Sequence, residues 1–204
     1  YFFFNDTATT VVYTLSLRVA RPIAIWRPWP DLPVMTVCGE PGMSHVLDDL
    51  VSLLSLEPIE ENLFRGRSQD LGFRQLFGGQ VLGQSLSAAS KTVEDERHVH
   101  SLHGYFLRPG DAHLPVVYQV DRVRDGGSFS TRRVTAIQKG NPIFTCSASF
   151  QYDEEGFEHQ SQMPQVVGPE NLASELELMR QREHLIPDHM KDKLLCPKPI
   201  EFRP

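Results

Sequence analysis

Phe77-Gly78-Gly79-Gln80-Val81-Leu82-Gly83-Gln84-Ser85-Leu86-Ser87-Ala88-Ala89-Ser90 is the stretch on which the fold turns. Leu82, Leu86, Ala89 and Val93 follow a 4-3-4 spacing, which is the helical period. No charge occurs from Gly78 through Ser90, and the remaining faces are mostly Gly, Ser and Ala. A helix with no charged face has none to give to water, so it is expected to be buried on nearly all sides. Its small residues let neighbouring backbone come close. Something wraps around this helix.

The wrapping element follows in the chain. Residues 99–107, 115–124, 128–139 and 142–152 are four strand-length runs rich in β-branched and aromatic residues. Asp125-Gly126-Gly127 and Gly140-Asn141 are tight-turn chemistry joining three of them as an antiparallel meander. A buried helix ahead of long antiparallel strands implies an α+β domain, the hotdog architecture, with the sheet wrapped around a long buried helix. Upstream, Ser44 caps a helix carrying Val46, Leu47, Leu50, Leu53 and Leu54, with Asp48 and Asp49 early and Glu57-Pro58 ending it. Asn62-Leu63-Phe64-Arg65-Gly66 reads as a short strand. Beyond Gly156 the chain turns polar, with surface helices expected over 170–182 and 187–194 and a linker over 196–204.

The 204 residues hold 20 Lys+Arg against 26 Asp+Glu, a net charge of −6, with 40% hydrophobic and 23% charged residues. That composition is globular, and an acidic chain without a basic cluster excludes a nucleic-acid partner. The longest uncharged run near the N-terminus, residues 7–17, is 11 residues and too short for a membrane span. Cys38, Cys146 and Cys196 are odd in number, widely spaced and without a C-x-x-C, which is neither a disulfide framework nor a zinc site. A reducing, cytoplasmic location is expected.

Residues 1–42 differ from the rest. Arg18, Arg21 and Arg27 balance Asp6, Asp31 and Glu40, so the −6 belongs to residues 43–204. An organelle transit peptide is one reading of this Arg-bearing stretch. The run from Phe2 to Leu17 instead resembles translated sequencing-adaptor DNA, which makes 1–42 a non-native or disordered leader and Met43, or else Met35, the natural start. The expected organisation is then this leader, an N-terminal hotdog domain over 43–160, and surface helices with a linker over 161–204.

Leu63-Phe64-Arg65-Gly66, Phe77-Gly78-Gly79-Gln80-Val81-Leu82-Gly83-Gln84, the run from His100 to Asp111, and Arg124-Asp125-Gly126-Gly127-Ser128-Phe129-Ser130-Thr131-Arg132-Arg133-Val134 together resemble the TesB-type acyl-CoA thioesterase II family. The resemblance implies a double hotdog in which two homologous halves share one polypeptide and hydrolyse acyl-CoA to a fatty acid and CoA. It implies that the Asp, Thr and Gln that activate the water lie in the C-terminal hotdog, and none of them maps onto this chain. The chain therefore reads as the N-terminal half, cut short before the second. The full-length parent is expected to be a homo-oligomer.

Within this half, Gly78 and Gly79 open the buried helix, where free N–H groups and the helix dipole can bind a developing oxyanion. Gln80 adds a neutral amide. The plainer reading is that the glycines serve close packing of helix on sheet. His100 is the best lone titratable candidate, as a base or donor near the acyl channel, against a structural role in the strand. Strand alternation points His98 and His100 one way and His103 the other, so no metal site is expected. Arg108, Arg132 and Arg133 are candidates to neutralise CoA phosphates, with solvated strand charges as the default. Leu82, Leu86 and Phe106 are expected to line the acyl groove. Cys146 alternates with Phe144, Ala148 and Phe150 as a core thiol, and no G-x-S-x-G elbow occurs.

These readings describe an acyl-CoA thioesterase that uses an activated water, with no covalent intermediate and no cofactor. A non-catalytic half that binds acyl-CoA or supports its partner is the rival. A hydratase-type hotdog ranks below both, since no Asp with a nearby His stands at the spacing that chemistry uses.

Overall fold

The computed structural model describes residues 13–16, 43–71 and 75–204. The chain divides into two compact units, one holding Leu53–Glu154 and the other Glu155–Pro204 with residues 43–52.

In the first unit, α2 (Gly78–Ser90) turns Gln80, Val81, Gln84, Ser85, Ala88 and Ala89 to the interior. Two adjacent positions in every turn of four make a broad buried face, as the uncharged sequence requires. Four long strands follow: β4 (His98–Phe106), β5 (Val116–Asp125), β6 (Phe129–Gln138) and β7 (Asn141–Gln151). All pair antiparallel in the order β4-β7-β6-β5, and β3 (Leu63–Gly66) and β2 (Glu57–Glu60) extend the sheet beyond β5. Val116, Tyr118, Val134, Phe144 and Phe150 are at most 1% exposed and alternate with outward residues. The α2 helix meets β3 through β7, so the sheet curls about it as the hotdog architecture requires. Burial of each large apolar side chain in that core contributes roughly 2 kcal/mol.

The β6–β7 connection places Lys139 and Gly140 at φ 49° and 73°. Two successive left-handed residues form the hairpin turn whose twist suits the flanking strands. Asn62, also left-handed at φ 61°, turns β2 into β3. The sequence reading ends the first helix at Glu57-Pro58 and places no strand there, whereas Glu57–Glu60 pairs with β3. An edge strand tolerates Pro58, and all four residues are exposed, so no alternation marks them.

Tyr13–Ser16 forms a strand, β1, paired with Ser101–Gly104 of β4. The leader reading assigns no structure to this segment. A sheet edge offers unpaired backbone groups to any extended segment, which accounts for the pairing. The remainder of the expected leader lies outside the described residues.

α1 (Met43–Leu54) begins one residue before the expected cap at Ser44. In the second unit, α3 (Glu175–Gln181) starts at a capping box in which the Ser174 hydroxyl accepts from the Glu177 N–H and Glu177 accepts from the Ser174 N–H. This cap places the helix start five residues beyond the expected one. α4 (Asp188–Leu194) follows. Arg203 Nη1 donates to the carbonyls of Pro169, Glu170 and Leu172, and Lys198 pairs with Glu175, tying the terminal segment to α3. No helix among the described residues is long and apolar enough to cross a membrane.

Candidate functional site

The N-terminus of α2 is the best-defined chemical feature of the first unit. Phe77 precedes the helix in extended conformation and offers no side-chain cap. Its carbonyl accepts from the N–H groups of Gln80 and Val81. Among the described residues, no acceptor is bonded to the N–H of Gly78 or Gly79. Both glycines are walled by rings. A Cβ on Gly78 would stand 3.0 Å from the Phe106 ring, and one on Gly79 would stand 2.5 Å from the Phe77 ring. Two free donors at the positive end of a helix thus sit between two aromatic rings.

The segment that brings Phe106 there continues alongside the helix entrance. The Leu76 N–H donates to the Gly110 carbonyl at 2.8 Å, and Leu76 is buried. Phe77 and Leu107 remain 57% and 47% exposed and form an apolar rim. Leu82, Leu86 and Phe106, expected along the acyl groove, are partly buried and pack on the core together with Val93 and Val99. They leave an apolar strip beside α2 that the core does not close.

Gln80 stands elsewhere in its hydrogen bonding. Its Nε2 donates to the Arg67 carbonyl at 3.0 Å and its Oε1 accepts the Gln69 N–H at 3.2 Å. Gln84, fully buried, donates Nε2 to the carbonyls of Leu53 (2.6 Å) and Arg67 (2.9 Å), while its Oε1 accepts the Tyr118 hydroxyl at 2.6 Å. The two amides pin residues 67–69, where the chain leaves β3 on its way to α2. Its second Nε2–H is directed to Gln84 Oε1 at 3.5 Å, so Gln80 has no amide group left to offer a carbonyl. The sequence signal for Gln84 was available: a polar side chain inside an uncharged buried helix must find partners.

His100 lies on the opposite face of the sheet from α2. β4 carries a bulge against β7: Val99 pairs with Phe150 but Ser101 pairs with Ser149. The extra residue reverses the alternation, so His98, opposite Gln151, and His103, opposite Ser147, both face outward. His100 joins them, with Nε2 2.8 Å from Ser149 Oγ and its ring edge-on to Phe129. The expectations that His103 opposes the other two histidines and that His100 borders the acyl channel are therefore corrected by one inserted residue.

The arginines separate cleanly. Arg132 is 1% exposed, and its guanidinium donates to Thr92 Oγ1, the Thr92, Arg124 and Thr131 carbonyls, and Asp125. No phosphate can reach it, because the inward face of β6 buries it in full. Arg133 faces outward and pairs with Asp121 at 2.5 Å. Arg108 is exposed, with Nη1 on the Pro142 carbonyl. Cys146 is buried, and burial pushes its thiol up to about 12, so it is no nucleophile.

An antiparallel sheet curled around one uncharged helix, with that helix opening onto two free N–H groups, defines a hotdog domain. Residues 66–151 match the family model of the acyl-CoA thioesterase N-terminal domain. The chain is 46% identical over 161 residues to acyl-CoA thioesterase 2 of Haemophilus influenzae, covering 79% of this chain and 56% of that protein. It is 53% identical over 141 residues to human acyl-coenzyme A thioesterase 8, covering 66% of this chain and 44% of that protein. Among solved structures, acyl-CoA thioesterase II TesB2 of Mycobacterium marinum superposes with a TM-score of 0.54 at 49% identity, over 61% of this chain and 46% of that one. Over this hotdog the chain is similar to the N-terminal domain of acyl-CoA thioesterases. It spans about half the length of the curated relatives it matches.

Proposed function

We propose that this chain acts in the hydrolysis of acyl-CoA thioesters to free fatty acid and CoA, with water as the nucleophile. The observation that carries the reading is the pair of free N–H groups on Gly78 and Gly79, set between Phe106 and Phe77. A thioester carbonyl placed there meets two donors and the helix dipole, which favour the oxyanion more as negative charge develops. The apolar strip of Leu82 and Leu86 suits an acyl chain, and the kinship with named acyl-CoA thioesterases gives the substrate class. The buried Cys146 thiol, outside any disulfide among the described residues, supports a reducing, cytoplasmic setting.

One observation favours a division of labour with a partner hotdog domain. Gln80 is committed to the backbone of residues 67–69 and His100 faces away from α2, so neither candidate stands ready to activate water at Gly78. In this second reading, the chain binds the acyl-CoA and positions its carbonyl, and the base comes from another hotdog in a homo-oligomer or a longer polypeptide. Release of free thiol from medium- and long-chain acyl-CoA by the purified chain, after circular dichroism shows it folded, separates the two. Sustained turnover establishes a complete site. Binding without turnover supports the second reading, and neither binding nor turnover contradicts both.

A further inference from the structure

The start of α2 is held from outside the helix. Phe77 gives it no side-chain cap, so nothing of that kind fixes its first turn. A backbone bond from another part of the chain anchors it instead: the Leu76 N–H donates to the Gly110 carbonyl at 2.8 Å. Gly110 fits closely there, since a Cβ on it would stand 3.1 Å from Leu76 Cβ and 3.2 Å from Ile143 Cδ1. Where Gly78 and Gly79 sit thus depends on residues 107–115, the connection between β4 and β5.

That connection contains Pro109, Gly110 and Pro115 and borrows its order from the sheet. Its first residues hang on β7, where the Ile143 carbonyl accepts the N–H groups of Leu107 and Arg108 at 2.8 and 3.2 Å. Its second half is gripped by Gln138, the last residue of β6 and only 6% exposed. Gln138 Oε1 accepts the Asp111 N–H at 2.8 Å, while Nε2 donates to the carbonyls of Asp111 (2.9 Å) and Leu114 (2.8 Å). The amide therefore meets Asp111 at both its N–H and its C=O, as a paired strand would. The Ser68 hydroxyl shares the Leu114 carbonyl at 2.6 Å, which joins the connection to the segment that Gln80 and Gln84 pin. An apolar side chain at this inward position would leave the Asp111 N–H and two carbonyls without these partners.

We propose that Gln138 is a positioning residue for the thioester carbonyl: through Asp111, Gly110 and Leu76 it fixes where the free N–H groups of Gly78 and Gly79 point. The proposal rests on the reading above that those groups receive the carbonyl. Gln138 acts through the connection alone, because both ends of its amide are spent on it. The effect is large for a remote residue because donors to a developing oxyanion work only when preorganised, and a shift of about 1 Å can cost roughly a hundredfold. Without the amide, Asp111 and Gly110 lose their hold on the sheet, and Leu76 carries the slack into the first turn of α2.

The test is calorimetric titration of the full chain with two CoA derivatives of equal chain length. One is a ketone with a methylene group between sulfur and carbonyl; the other is an alkyl thioether, which lacks the carbonyl. The variants are Gln138→Leu, Gly110→Ala, which crowds Leu76 at the tie itself, and Val134→Ala, a core truncation on the same strand. Wild type is expected to prefer the ketone by roughly tenfold or more. Gln138→Leu and Gly110→Ala are expected to erase that preference while leaving thioether affinity within about twofold of wild type. Val134→Ala is expected to keep the preference despite a lowered thermal midpoint. A preference intact in Gln138→Leu, or lost equally in Val134→Ala, overturns the positioning role. Should Gln138→Leu fail to fold, Gly110→Ala decides in the same way. No ketone preference in the wild type overturns the reading at Gly78 and Gly79 and the proposal with it, and no binding of either compound overturns the acyl-CoA reading itself.

Discussion

Phe106 lays its ring against the α-carbon of Gly78, leaving so little room that a Cβ there would stand 3.0 Å from two ring carbons. The contact joins the end of β4 to the first residue of α2, and it holds the free N–H groups of the helix against an apolar wall. Gly78→Ala forces the ring to give by a few tenths of an ångström. The expected cost is about 1 kcal/mol of stability, read from urea denaturation, with a loss of acyl-CoA affinity larger than that cost explains. An affinity equal to wild type would show that nothing docks at Gly78.

Gln84 and Tyr118 join the helix to β5 inside the core. Tyr118→Phe removes the 2.6 Å hydrogen bond to Gln84 Oε1, whose remaining partner, Gln80 Nε2, is 3.5 Å away. The expected loss is about 1–2 kcal/mol in chemical denaturation. Gly66→Ala should cost more, about 3 kcal/mol, because a Cβ there would stand 2.7 Å from the same Gln84 oxygen, which the network holds in place.

Asp125 makes the fold acid-sensitive in a defined way. Hydrogen bonds from Arg132 and Ser130 hold its carboxyl below the ordinary value of 3.8. A carboxylate with a depressed folded pKa stabilises the protein above its unfolded pKa, and the contribution disappears as pH falls through the folded value. The stability gap between wild type and Asp125→Asn should therefore hold from pH 7 to about pH 5 and close below about pH 4. A gap unchanged at pH 2.5 would contradict the Arg132 pairing.

Thiol chemistry separates Cys146 from Cys196. Burial raises the Cys146 thiol to about 12, whereas Cys196 is exposed. Iodoacetamide at pH 8, followed by peptide mapping, should modify Cys196 in the native protein and Cys146 only in denaturant.

How far the sequence carries such an account depends on whether a feature leaves a periodic trace. The uncharged run from Gly78 to Ser90 and the four alternating strands do, so the wrapped helix is legible before any coordinates. Glu57–Glu60 leaves none, because an exposed edge strand has no buried face to alternate with. The bulge at His100 is a single inserted residue without local signature, and it moved the strand's histidines to the outer face. Alternation does place Arg132 and Arg133 on opposite faces. It does not say that the inward one finds Thr92 and Asp125 waiting, and so becomes part of the core. Of α2 itself, the start at Gly78 and the packing of Leu82 and Leu86 against the core were legible. The commitment of Gln80 to residues 67–69 was not, since it joins positions 11 and 13 apart through a turn of chain that propensity does not describe.

The central claim is that the free N–H groups of Gly78 and Gly79 receive the substrate carbonyl. The most direct measurement is the ¹⁵N–¹H spectrum of the chain during titration with an acyl-CoA analogue in which a methylene group stands between sulfur and carbonyl, giving a ketone that is not hydrolysed. The account predicts that the Gly78 and Gly79 amide resonances move downfield and saturate together, while free CoA leaves them in place. Binding of the analogue with those two resonances unmoved would contradict it.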